Sequence, residues 1–71
     1  MRYQITVWVM DHNDVPDYRY ECYCETHVQG LCAFNAITRG QERHYKAWLV
    51  DLTENKEIRY LSVLYKGNGE R

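Results

Sequence analysis

One proline and one serine are all that this 71-residue chain has of either. It also lacks a long apolar run, a phosphate-cradling glycine loop and an excess of either charge. Each absence excludes something. With Ser62 the sole serine, no serine nucleophile sits on a Gly-x-Ser-x-Gly turn. There is no Gly-x-Gly-x-x-Gly, no Gly-Lys-[Ser/Thr] and no His-Glu-x-x-His, which removes the common dinucleotide, nucleotide and zinc-hydrolase signatures. No apolar stretch approaches the ~20 residues needed to cross a bilayer. Nine Lys and Arg against ten Asp and Glu leave a formal net charge of -1. No overall field therefore draws the chain to nucleic acid or to an acidic membrane surface.

What is present is ordinary globular material, 45% hydrophobic and 27% charged, enough for one domain and a modest core. Seven Tyr and two Trp favour strands. The opening MRYQITVWVMD alternates and has no small-residue cleavage site, so it does not read as a signal peptide. Three cysteines, an odd number without a secretory signal, suggest free thiols in a reducing compartment. An intracellular, cytoplasmic location follows as an expectation.

Period-two alternation predicts a strand over Tyr3–Met10, then a polar loop, Asp11 to Asp17, in which Pro16 opposes a strand interior. A second strand follows over Tyr18–Glu25. Thr26-His27-Val28-Gln29 matches a capping box and starts a helix from His27 to about Thr38, closed by Gly40. Strands over His44–Leu52 and Glu57–Lys66 flank a turn at Thr53–Lys56. Antiparallel pairing and a right-handed crossover predict an α+β fold, β-β-α-β-β, with sheet order 2-1-3-4 and one helix on one face. A single domain spans residues 1–66, and residues 67–71 form a flexible tail.

The stretch YECYCETH with Cys32 reads C-x-C-x2-H-x4-C, which matches no common zinc spacing. Cys22 and Cys24 are same-face strand neighbours, roughly 6.5–7 Å apart at Cα and so at or beyond the limit for a disulfide. Cys32 and His27 lie five apart on the helix and share a face poorly. The reading is the buried face of a strand, with no metal, no cofactor and no catalytic residue assigned. The aspartates of the DHNDVPD loop could offer oxygens to a cation, but Pro16 occupies the place of the glycine an EF-hand requires.

The sheet is the informative part. If Tyr3, Ile5, Val7, Val9, Tyr18, Tyr20, Cys22, Trp48, Val50, Leu61 and Val63 meet the helix, the opposite face carries Trp8, Met10, Tyr23, Leu49, Ile58, Tyr60 and Leu64. Both sides of the last two strands are apolar, so their facing can flip. Either choice leaves a large apolar remainder, of the kind that marks an interaction site. The helix too is apolar around most of its circumference through Val28, Leu31, Cys32, Ala33, Phe34, Ala36 and Ile37.

The expected role is a non-enzymatic protein-binding module, its partner another protein or a second copy. Trp8 would point to the side no local element covers. The alternative is a single-stranded nucleic-acid binder that stacks bases on sheet aromatics and holds the backbone with Arg39, Arg43 and Lys46. Those cations lie near Asp11, Asp14 and Asp17, so local charge balance competes with that reading. In size and element order the chain resembles small phage-encoded inhibitors of host machinery, such as anti-CRISPR proteins. The likeness lies in architecture and carries no motif, so no functional residue comes with it. It implies a host-directed inhibitor or adaptor acting in the host cytoplasm.

Overall fold

The computed structural model describes residues 2–64; the tail expected at 67–71, and the last residues of the expected domain, lie outside them. Strands β1 (Tyr3–Met10) and β2 (Pro16–Cys24) precede helix α1 (His27–Arg39), and β3 (Tyr45–Asp51) and β4 (Lys56–Val63) follow it. All neighbours in the sheet are antiparallel, in the order β2-β1-β3-β4. The expected α+β fold and strand order hold. Pro16 is the first residue of β2, an edge strand, where a missing N–H disturbs the ladder least.

The helix starts where its capping box places it. The Thr26 hydroxyl accepts from the Gln29 N–H at 3.1 Å, and the Gln29 side chain accepts from the Thr26 N–H at 3.2 Å. At the other end Gly40 is the C-cap in right-handed geometry, φ -86°. Left-handed backbone occurs instead at Asp14 and Asn55, in the two hairpin loops, where short polar side chains tolerate it.

The core lies between the helix and three strands. Tyr3, Ile5, Val7 and Val9 of β1 and Tyr45, Ala47 and Leu49 of β3 pack around Phe34, which is fully buried. Gly30 lets the helix come close: a Cβ there would stand 3.2 Å from the Leu49 side chain. The buried stripe of α1 continues through Leu31, Ala33 and Ile37, while Val28, Cys32 and Ala36 face outward and are exposed. The helix packs on β1, β2 and β3, and among the described residues its backbone does not come within 8 Å of β4, Cα to Cα.

The facing of β3 is opposite to the first of the two expected assignments, whereas Leu61 and Val63 of β4 lie on the helix side as that assignment has them. Ala47 and Leu49 pair with Val7 and Ile5, so they point at the helix, and Trp48 and Val50 point away. Asp51 shares the helix side yet is buried. Arg2 grips its carboxylate with contacts of 3.0 to 3.3 Å, and the Thr53 and Glu54 N–H groups donate to it at 3.0 and 3.2 Å. Those partners replace the water that an aspartate loses on burial. A bulge at Leu49/Val50 leaves Ile58 as an extra residue in β4, turned inward against the core.

Phe34→Ala should cost about 3–5 kcal/mol, the usual toll of emptying a buried aromatic site, and bring the domain near its unfolding threshold. Urea titration followed by circular dichroism checks it. The Asp51 carboxyl is held below its ordinary range first by the hydrogen bond from Arg2. A carboxyl whose folded pKa is depressed adds stability above its unfolded value of about 3.9, lost as pH falls through the folded value. Wild type should therefore melt higher than Asp51→Asn at neutral pH, and the gap should close as the solution is acidified below about pH 4. Melting midpoints across that range read it.

Candidate protein-binding face of the sheet

The face turned away from the helix is set out by the register. Reading across β2, β1, β3 and β4, one row is Arg19, Trp8, Lys46 and Ser62. The next is Glu21, Thr6, Trp48 and Tyr60, and the third is Tyr23, Gln4, Val50 and Glu57. Trp8 and Trp48 are diagonal neighbours with ring centroids 6.4 Å apart, edge to face. Trp48 and Tyr60 are directly opposed at 5.4 Å. The Arg19 guanidinium stands 5.7 Å from the Trp8 ring centroid. A continuous aromatic diagonal therefore crosses the three strands from β1 to β4, capped by a cation at the β2 end. Among the described residues no helix or loop lies over it, and Tyr60 is 43% and Tyr23 46% exposed.

Trp8 is half-buried, and its cover comes from the side: Trp48 on the diagonal, Arg19 over the ring, and Lys46 opposite on β3. At the far corner Gln4 donates to the Tyr23 hydroxyl at 3.1 Å, and that hydroxyl donates to Glu21 at 3.3 Å. Arg19 and Glu21 approach at 3.9 Å. The face is thus apolar along its diagonal, cationic on both sides of Trp8 and acidic at Glu21 and Glu57.

Of the residues expected at this face, Trp8, Tyr23 and Tyr60 are on it, and Leu64 lies half-buried just beyond β4. Leu49, 1% exposed, belongs to the helix-side core, because its pairing with Ile5 fixes it there. Ile58 is turned inward by the bulge. Met10 is 2% exposed, beside a register shift and the connector after α1; its N–H donates to the His44 carbonyl at 2.8 Å and its carbonyl accepts from Arg43 at 2.7 Å. The residue that strand alternation misplaced is Trp48, the centre of the aromatic diagonal. Lys46, two positions before it, was the available signal, since a lysine avoids the helix side of a small core.

The cations proposed for nucleic acid do not converge. Arg39 belongs to the last turn of the helix, and Arg43 donates to Asp17 at 2.9 Å and to the Met10 carbonyl. Lys46 is on the opposite side of the sheet from the helix. In the DHNDVPD loop Asp11 serves the turn, accepting from the Asn13 and Val15 N–H groups at 2.8 and 3.0 Å, and Asp17 serves Arg43.

Cys22 and Cys24 lie on the helix side of β2, opposite Ile5 and Tyr3, and His27 packs edge-on against Tyr3 with centroids 5.7 Å apart. Cys32 is on the outer side of the helix. Among the described residues no three His, Cys, Asp or Glu side chains gather as a metal site. An open cleft of about 450 Å³ at one end of the sheet is lined by Arg2, His27, Asp51, Glu54 and Lys56, among others. Its ionic groups serve one another, Arg2 bridging Asp51 at 3.0 Å and Glu54 at 3.9 Å.

No family model, no curated protein and no solved structure matches this chain. Among the described residues no helix is long and apolar enough to cross a membrane.

Burial, and then the neighbouring Cys24, push the Cys22 thiol up. The thiolate is the reacting form, so Cys22 should react slowly, whereas Cys32 is accessible on the helix surface. With a limiting amount of a thiol reagent at neutral pH, peptide mapping should find Cys32 labelled before Cys22. The reverse order would contradict this arrangement.

Proposed function

We propose that this chain is a non-enzymatic protein-binding module, an inhibitor or adaptor, whose working surface is the sheet face opposite the helix. The observation that carries the reading is the uncovered diagonal of Trp8, Trp48 and Tyr60. Trp, Tyr and Arg are the residue types that dominate binding energy at interfaces. Rings already braced against one another lose little conformational freedom on binding, which keeps the entropic cost of association low. Arg19 and Lys46 on either side of Trp8 suit a partner that is apolar at the centre and acidic at the rim.

Nucleic acid is the less favoured occupant. Trp8 and Trp48 meet edge to face, so each spends ring surface on the other rather than offering a free plane to a base. The Arg43 guanidinium is committed to Asp17 and Met10.

The test uses Trp8→Lys and Trp48→Lys, separately. Both side chains are half-buried on the open face and outside the core around Phe34, so circular dichroism and melting should report a folded domain. Proteins retained from the native host's lysate by immobilised wild type should be lost with each variant. Loss of the fold in both variants would move the tryptophans into the structural core and overturn the reading. So would low-salt quenching of tryptophan fluorescence by single-stranded oligonucleotides, which would hand the face to nucleic acid.

A further inference from the structure

The two edges of the sheet are guarded differently. On β2 the edge opens with Pro16 and carries Asp17, Arg19 and Glu21, interrupted by a register shift opposite Met10. Proline, charges and bulges are the devices that prevent one sheet edge from pairing with another. On β4 the first half is guarded in the same way, by Lys56, Glu57 and Arg59 and by the bulge at Ile58. The second half is not. Tyr60-Leu61-Ser62-Val63-Leu64 has no charge, no proline and no glycine. Tyr60 and Val63 are strong β-formers, and among the described residues only one side of the strand is paired.

The helix does not shelter this segment. Leu61 and Val63 point to the helix side, opposite Ala47 and Tyr45, but α1 stops short of β4 and leaves them 42% and 44% exposed. Tyr60 is 43% exposed on the other side. An unpaired edge thus lies between two apolar flanks. The occupant such an edge accepts is an extended strand, held by main-chain hydrogen bonds and by apolar side chains on both faces.

The sequence of the edge specifies which strand. We propose that β4 pairs antiparallel with β4 of a second copy, about a two-fold axis at Ser62, joining two four-stranded sheets into one of eight. In that register Leu61 faces the partner's Val63 on the helix side, and Tyr60 faces the partner's Leu64 on the tryptophan side. Opposed residues of an antiparallel pair share a face, so apolar meets apolar on both sides. The smallest side chain, Ser62, meets its own copy at the axis. A register centred one residue earlier, on Leu61, sets Arg59 against Val63. Parallel in-register pairing sets Lys56, Glu57 and Arg59 each against its own kind, and like charges directly opposed are destabilising. Such an isologous contact closes at the dimer. Because it uses the edge, the aromatic diagonals of both copies stay open on one side of the joined sheet.

Sedimentation velocity and light scattering on the full chain, from micromolar to near-millimolar concentration, test this. The expected result is a concentration-dependent rise from the 8.6 kDa chain mass to twice that value. Val63→Lys and Leu61→Lys, both at exposed positions, should each remain folded by circular dichroism and lose the dimer at every concentration. Trp8→Lys should keep it, which separates this edge from the protein-binding face. In a Cys32→Ser background, Ser62→Cys should form a covalent dimer on mild oxidation, since residues paired at an axis come within disulfide reach. A wild-type chain that stays monomeric throughout would overturn the proposal. A dimer that survives both lysine variants, or dissolves on Trp8→Lys alone, would overturn it as well.

Discussion

A single helix cannot cover a four-stranded sheet, and the rest of this molecule follows from that mismatch. A helix with its side chains is about 10–12 Å across. Four strands at about 4.8 Å spacing present a wider floor. Here α1 is centred over β1 and reaches β2 and β3, so the core is built where Phe34 meets the alternate residues of the two central strands. β4 lies beyond that cover. Leu61 and Val63 there, and, among the described residues, the second face of the sheet, are left to water or to another molecule.

The apolar surplus is divided unequally between the two faces, and an ion pair with its carboxylate buried and its guanidinium exposed helps set the division. Asp51 stays on the helix side because Arg2 and two backbone N–H groups satisfy its carboxylate there. With Asp51 inside, Leu49 and Ala47 are inside, and Trp48 comes out next to Trp8 and Tyr60. A bulge then lets β4 keep Ile58 against the core while Tyr60 stays on the open face. The proposed protein-binding face and the edge proposed for self-association both depend on this one choice of side for β3.

The elements were legible because their signals are local. Tyr3 to Met10 alternates without interruption, Thr26 and Gln29 sit at the spacing that closes a capping box, and short loops leave antiparallel neighbours as the simplest solution. The second hairpin was not legible in the same way. In YKAWLVD both alternate sets are apolar, so period two marks a strand without saying which side is inside. Asp51 argued for the wrong side, since an aspartate is ordinarily exposed, and its partner Arg2 is 49 residues away. Met10 is buried at the end of β1 beside a register shift, outside the cluster around Phe34, and local alternation gives no sign of that cover.

The sequence by itself determined where the chain turns, where the helix begins and that more apolar surface exists than one helix can hide. These depend on neighbours within a few residues, on capping hydrogen bonds, turn residues and side-chain periodicity. Only the tertiary structure decided which tryptophans share a face, that Arg39, Arg43 and Lys46 part company, and that the end of β4 is bare on both flanks. Those outcomes depend on register between strands far apart in the chain, where a shift of one residue moves every side chain to the other side of the sheet.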